Sequence, residues 1–196
     1  MHRCSFAARC QSLLARSVRV VALCTGLVAS PVGAHEMSPA VANLTIAPGG
    51  AATLEITVNA EAILVGLGPD HDSRSEGPQS DRYNALHALP GAALVERFRA
   101  AQPDVVELQA DGAPISTGPG RIEAPAPPRP TVPRPSTLRY AFAVPPGTEV
   151  LTWRFVPRYA PSIIRVTDPA ADGVLARLVP PGGAADIALT APVPRA

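Results

Sequence analysis

Two regions in which apolar and polar residues alternate most constrain the fold of this chain. In residues 40–59 the alternation runs on both sides of the turn sequence Pro48-Gly49-Gly50. A period of two is typical of a strand that buries one face. Two such runs around a glycine-containing turn predict an antiparallel hairpin.

The last third of the chain repeats this pattern. Residues 137–144 and 151–155 alternate, and they are separated by the turn sequence Pro145-Pro146-Gly147. Trp153 and Phe155 are expected to point inward. Further strands are predicted at 106–110, which the hairpin dipeptide Asp111-Gly112 follows, and at 162–167, 174–179 and 186–190, with Ile115 and Ile122 assigned to others.

Between the first hairpin and residue 106 the apolar spacing becomes helical. We expect a short helix from Ala60 that Gly68-Pro69 ends, a helix from Asp81 that Ser80 caps, and a third helix between Pro90 and Pro103. These elements form a small helical insertion at about residues 60–103. Residues 124–136 contain six prolines, which cannot donate to a sheet ladder, so this segment is predicted to be a stiff connector.

Many short strands at regular spacing favour a mainly β fold. We predict an antiparallel, immunoglobulin-like β-sandwich formed by one domain of residues 35–196 and interrupted after its second strand by the helical insertion.

The N-terminus has the features of a cleaved export signal. Four arginines precede an apolar run at 20–29, and Val32-Gly33-Ala34 then supplies the small residues that a signal peptidase recognises. Residues 1–34 are therefore predicted to be a signal peptide that is cut before His35, which gives a periplasmic protein. The apolar run is shorter than the roughly 20 residues of a membrane span, and no later stretch is long enough.

Removal of this leader changes the composition. All three cysteines, Cys4, Cys10 and Cys24, lie in it, so the mature domain must be stable without disulfides. The leader also holds four of the 17 basic residues and none of the 16 acidic ones, which leaves a net negative mature chain. Such a chain has no basic field for nucleic acid.

An N-terminal His35 would be a metal-binding group. Its α-amine and its ring Nδ1 can close on one metal ion, and nitrogen ligands in a square arrangement suit Cu(II) or Ni(II). The alternative is that this histidine merely follows the cleavage site.

A further ligand is required, and the loop Asp70-His71-Asp72 offers one. We predict that His71 completes the site and that Asp70 and Asp72 lie nearby. The alternative is an ordinary solvated loop. Arg74 and Ser75 break the calcium-loop template in this segment. His87 is expected at the border of the apolar face of its helix and not as a ligand.

No catalytic motif of the serine, cysteine, zinc-protease or phosphate-binding classes is found in the sequence. We therefore expect a protein that is not an enzyme. The remote alternative is a copper oxidase with an N-terminal histidine brace, but such enzymes present flat aromatic surfaces, whereas Trp153 is predicted to face inward.

The segment His35-Glu36-Met37-Ser38-Pro39-Ala40 resembles the exported N-terminal region of the HupE/UreJ group, which is associated with nickel supply to hydrogenase and urease. The strand Leu151-Thr152-Trp153-Arg154 is similar to small exported proteins associated with that group. Transport in this family belongs to transmembrane helices, so the permease role does not carry over. The resemblance implies an accessory domain outside the membrane, which captures metal or binds a HupE/UreJ-type membrane protein.

Two hypotheses follow from the sequence. The first is an exported, non-catalytic accessory or binding domain that handles nickel or copper. The second is a metal-free protein-interaction module of the cell envelope, which docks through the helical insertion.

Overall fold

The computed structural model of the chain describes residues 38–69, 77–128, 132–167 and 173–189. The helices of the described residues lie together between the second and the third strand. In chain order the elements are β1 Ala40–Ile46, β2 Ala51–Val58, α1 Ala60–Val65, α2 Pro78–His87, α3 Gly91–Ala101, β3 Val106–Ala110, β4 Ala113–Pro114, β5 Arg121–Glu123, β6 Ser136–Ala143, β7 Val150–Phe155, β8 Ser162–Thr167, β9 Val174–Val179 and β10 Ala184–Ala188.

The strands form two sheets. One sheet has six strands in the order β5-β6-β2-β1-β8-β9, and the other has four in the order β10-β7-β3-β4. All strand pairs in the described residues are antiparallel except β1 with β8, which is parallel. The predicted mainly β fold is confirmed, and the two antiparallel-rich sheets are consistent with a β-sandwich.

The first hairpin has the predicted form. Leu44 lies opposite Leu54 in the β1–β2 register, and both side chains are buried. Gly49 and Gly50 have φ angles of 88° and 85°. Because L-residues rarely adopt such angles, the two glycines permit the tight return between the strands.

Side chains from both sheets enter one hydrophobic core. Leu44, Leu54 and Ile56 come from the six-stranded sheet, whereas Leu151 and Trp153 come from the four-stranded sheet. Trp153 is completely buried, as is Ile164 of β8. The indole Nε1 of Trp153 donates a hydrogen bond to Ser162 Oγ over 3.2 Å, which connects β7 of one sheet to β8 of the other. The inward orientation predicted for Trp153 and Phe155 is confirmed.

The turn at Pro145-Pro146-Gly147 carries the chain between the sheets. β6 pairs with β2, whereas β7 pairs with β3 and β10. Thr148 stabilises the crossing, because its hydroxyl donates to Pro145 O over 2.7 Å. Alternation predicts each strand, but it does not show which sheet the strand joins.

The Asp111-Gly112 turn joins β3 to β4 as predicted. The two residues have φ angles of 47° and 81°, the left-handed geometry of a type I′ hairpin turn. β4 is only two residues long, so Ile115 lies outside the strand, whereas Ile122 belongs to β5 as expected.

The helical insertion joins β2 to β3. Helix α1 begins after Asn59 and ends at Gly66, whose φ of 70° provides a left-handed C-cap before the predicted stop at Gly68-Pro69. The prediction that Ser80 caps a helix from Asp81 is wrong. Helix α2 begins three residues earlier at Pro78, whose ring fixes a helical φ and needs no hydrogen-bond donor in the first turn.

The third predicted helix is present, and so is the predicted break in strand structure after β5. Helix α3 spans Gly91–Ala101, and no described residue between Glu123 and Ser136 belongs to a strand. Within the described ranges no helix is long and apolar enough to cross a membrane.

Candidate functional site

The residues predicted to bind metal, His35, Asp70, His71 and Asp72, lie outside the described residues. Across the four described ranges, no group of three or more His, Cys, Asp or Glu side chains is arranged to hold a metal ion. Ionisable side chains do come together in a different place, at the base of the helical insertion.

Glu61 and Arg134 form a fully buried ion pair. Arg134 Nε donates to Glu61 Oε1 over 2.8 Å, and both side chains have an exposed fraction of 0%. Glu61 lies in the first turn of α1, where a carboxylate also interacts favourably with the helix dipole. Arg134 comes from the proline-rich connector. The pair therefore ties the connector to the insertion.

The guanidinium of Arg134 also caps the end of α2. Nη1 donates to Leu89 O over 2.7 Å, and Nη2 donates to Leu86 O over 2.9 Å. The last carbonyls of a helix have no partner inside it, and a cation near them is stabilising. One arginine side chain thus donates to one carboxylate oxygen and to two carbonyls.

His87 is the third member of this group, which we call the buried charge cluster: Glu61, Arg134 and His87. The exposed fraction of His87 is 5%, and its Nδ1 lies 3.2 Å from Glu61 Oε1. Because the carboxylate can only accept, Nδ1 is the donor. His87 also stacks on Tyr83, with ring centroids 5.9 Å apart. The prediction of a border position is therefore wrong: the ring is buried because Glu61 supplies it with a polar partner inside the protein.

Asn59 connects the start of α1 to two tyrosines. Its Oδ1 accepts from the Ala62 amide over 2.9 Å, which is the N-cap interaction. Its Nδ2 donates to Tyr83 Oη over 2.8 Å, and its own backbone amide donates to Tyr159 Oη over 2.9 Å. The residue thus joins α1 both to α2 and to the segment that precedes β8.

Burial raises the pKa of both tyrosines. For Tyr83, desolvation is the larger cause, and the hydrogen bond from Asn59 opposes it. Desolvation is also the first cause of the raised pKa of Tyr159, again opposed by the hydrogen bond from the Asn59 backbone. Both phenols are therefore neutral at ordinary pH.

The buried charge cluster has the properties of a structural element. Glu61 Oε1 accepts the hydrogen bonds from Arg134 and His87. Glu61 Oε2 and His87 Nε2 are buried without a hydrogen-bond partner among the described residues. A pair with no exposed surface cannot meet a dissolved substrate unless the insertion opens. The cluster fixes the insertion and the connector relative to each other.

Sequence reasoning missed Glu61 and Arg134. The available signals were a carboxylate inside the apolar run that starts α1 and an arginine flanked by two prolines in a segment otherwise poor in charge. Buried charges are nearly always paired, so each residue pointed to an unidentified partner.

Comparison of the chain with protein-family models, with curated proteins and with solved structures finds no match.

Proposed function

We propose that this chain is an exported, non-catalytic accessory domain that binds Ni(II) or Cu(II) through a processed N-terminus at His35. Its expected location is the periplasm, and its expected partner is a membrane protein of the HupE/UreJ type. Support comes from the leader that ends at Ala34, from the two nitrogen ligands of an N-terminal histidine, and from the resemblance of the segment that begins at His35.

One structural observation supports this proposal. The β1–β2 register pairs Val41 with Thr57, so β1 begins beside the end of β2, where α1 starts. The Ala40 amide donates to Pro161 O over 3.0 Å, which fixes the start of β1 at this end. Asp70, His71 and Asp72 belong to the connection between α1 and α2. The start of β1 and the start of α1 therefore lie at the same end of the six-stranded sheet.

Calorimetric titration tests the proposal. Cu(II) and Ni(II) are titrated into the chain that begins at His35, into a matched form with one extra N-terminal glycine, and into the His71→Ala variant. The extra residue converts the α-amine into an amide and should abolish tight binding. The His71→Ala variant should weaken it. Equal binding by the first two forms, or no binding by either, would refute an N-terminal chelate.

The strand order supports the finer fold assignment that belongs to this proposal. Taking β1, β2, β5 and β6 as strands A, B, D and E reproduces the immunoglobulin sheet ABED. Strands β3, β7 and β10 then correspond to C, F and G of the second sheet. The hairpin β8–β9 is an addition between F and G, and the helical insertion lies between B and C. An experimental structure with a different strand order would refute this assignment.

A metal-free interaction module is the second candidate. The large hydrophobic residues exposed in the described structure are Val132, Val174 and Leu178, all outside the helical insertion. Val174 and Leu178 lie on β9, an edge strand of the six-stranded sheet, with exposed fractions of 59% and 70%. Leu178 is opposite the half-buried Ile163. For this candidate we propose β9 as the docking surface, in place of the insertion that the sequence suggested.

Binding to a purified HupE/UreJ-type membrane protein in detergent tests this candidate. Leu178→Glu should abolish binding. Val132→Glu is the matched control, because it places the same charge on an exposed valine in the connector. Equal loss with both variants would show a general charge effect, and no loss with either would exclude β9 as the contact.

A further inference from the structure

A cleft opens beside the C-terminal end of α3. It lies among the end of α3, residues 103–106, residues 117–121 and strand β6, and its volume is about 820 Å³. Small-molecule sites commonly have volumes of about 300 to 1,000 Å³. The cleft is therefore large enough for a ligand with an aromatic ring or a short aliphatic chain.

The lining is apolar in its depth and polar at its rim. Phe98, Val105, Leu138 and Tyr140 are all buried lining residues. The exposed charged residues of the lining are Arg99, Asp104 and Arg121. An apolar floor with a few polar groups is the usual composition of a site that binds an amphipathic small molecule.

Tyr140 presents a free hydroxyl in this setting. The exposed fraction of the residue is 8%, and its hydroxyl has no hydrogen-bond partner among the residues that the structure describes. The buried side-chain atoms that lack a partner and are sealed from solvent are Glu61 Oε2, His87 Nε2 and Ser136 Oγ. The Tyr140 hydroxyl oxygen is not sealed in this way. The hydroxyl of a largely buried tyrosine is therefore open toward the cleft.

Gly120 holds the Tyr140 ring in this position. A Cβ atom at Gly120 would lie 2.6 Å from two atoms of the ring and 3.0 Å from the hydroxyl oxygen. Only glycine allows so close an approach of the backbone to the ring. Gly120 and Tyr140 therefore form one wall of the cleft together.

Burial determines which hydrogen-bonding role Tyr140 can take. Desolvation raises the pKa of the Tyr140 phenol to about 12, so the hydroxyl keeps its proton at physiological pH. A protonated phenol can donate to an oxygen acceptor of a ligand.

Arg121 at the rim favours a negatively charged acceptor. The charged residues of the lining are two arginines and one aspartate, and Arg99 pairs with Glu96 over 2.9 Å. Arg121 is opposite Arg139 in the β5–β6 register, and Glu55 and Glu123 both bind Arg139 at 2.8 Å. No ion pair engages Arg121 in the described part of the chain.

We propose that this cleft is a binding site for a small carboxylate with an aromatic or aliphatic body. The Tyr140 hydroxyl donates to a carboxylate oxygen, the buried floor contacts the apolar body, and Arg121 at the rim balances the charge. This site is independent of the proposed metal chelate, and neither requires the other.

Titration of the chain that begins at His35 with 3-phenylpropionate, followed by amide NMR shifts, tests the site. We expect saturable shifts confined to residues 98–106, 117–121 and 138–140. Phenylpropylamine, which has the same ring and the opposite charge, should cause none. Saturable shifts elsewhere, no saturable shifts, or equal binding of the amine would overturn the proposal.

Tyr140→Phe keeps the ring and removes the hydroxyl, and it should weaken 3-phenylpropionate binding about tenfold. The fold should be retained, because the hydroxyl supports no described residue. Tyr83→Phe is the matched control and should leave the affinity unchanged. Unchanged affinity in Tyr140→Phe, with a native NMR spectrum, would contradict the assigned role. Arg121→Gln supplies an independent test, because it should also weaken binding without altering the floor.

Discussion

Arg134 Nε and Glu61 Oε1 lie 2.8 Å apart, and neither side chain has any exposed surface. The two residues come from the proline-rich connector and from the first turn of α1, so the pair fixes elements that are far apart in sequence. Because a buried charge without its partner is very unfavourable, both positions depend on each other. The pair therefore anchors the proline-rich connector to the insertion.

Arg134→Met should lower the free energy of unfolding by about 3 to 5 kcal/mol, because it leaves the Glu61 carboxylate buried without its cation. Urea unfolding measures this change. In the double variant Glu61→Leu/Arg134→Met the unpaired charge is gone, so it should be more stable than Arg134→Met alone. Additive losses in the double variant would contradict the coupling.

Arg154→Met is the matched surface control for that experiment. Arg154 and Glu107 form an ion pair of 3.3 Å, but about half of each side chain is exposed. Exposed pairs contribute about 0 to 1 kcal/mol. A loss in Arg154→Met as large as that in Arg134→Met would show that burial is not the cause.

The tyrosines should titrate late in the folded protein. The chain contains three tyrosines, and burial raises the pKa of Tyr83, Tyr140 and Tyr159. Stability that arises from a raised pKa is fully present below the unfolded value of about 10 and is lost as the pH rises through the folded value. Tyrosinate absorbance should therefore remain low at pH 10 in the folded protein and rise at that pH in urea. Half-titration of the folded protein at pH 10 would contradict the described burial.

Trp153 is the single tryptophan and therefore reports on the contact between the sheets. Ser162→Ala removes the acceptor of the Trp153 indole and should destabilise the fold by about 1 to 2 kcal/mol. Urea unfolding, followed by the red shift of tryptophan emission, measures the loss. A variant as stable as the parent would mean that this bond contributes nothing.

The turn at Gly112 should depend on backbone conformation alone. Gly112 has a φ of 81°, and nothing lies within 4 Å of an added Cβ. Gly112→Ala should therefore cost about 1 to 2 kcal/mol through left-handed strain. Gly68→Ala is the matched control, because an added Cβ at Gly68 would also meet nothing within 4 Å, but the φ of Gly68 is not left-handed. It should be neutral or slightly stabilising. Equal effects on the urea midpoint would refute the role of φ.

The strands were predictable where burial imposes a period of two. β3, β7 and β8 lie within one residue of their predicted bounds, because alternate side chains of these strands enter the core. The partners of the strands were not predictable. The parallel contact of β1 with β8 joins residues that are distant in sequence, and an alternating pattern contains no information about its neighbour.

The buried polar residues were harder to predict than the strands. Glu61 and Arg134 are 73 positions apart, and their charges can be buried only because the fold brings them together. The start of α2 was missed because Ser80 has the composition of an N-cap, whereas Pro78 already begins the helix. The predicted metal residues lie outside the described residues, so that prediction stays a prediction.

Paramagnetic broadening by Cu(II) tests the central claim most directly. One equivalent of Cu(II) is added to the ¹⁵N-labelled chain that begins at His35, and the amide signals are compared with and without the metal. We predict broadening near the start of β1 and the start of α1, at Ala40 and Ala60, with sharp signals for Gly50, Gly112 and Gly147 at the opposite ends of the strands. Unchanged signals throughout, or broadening centred on those glycines, would contradict a metal site at the N-terminal end.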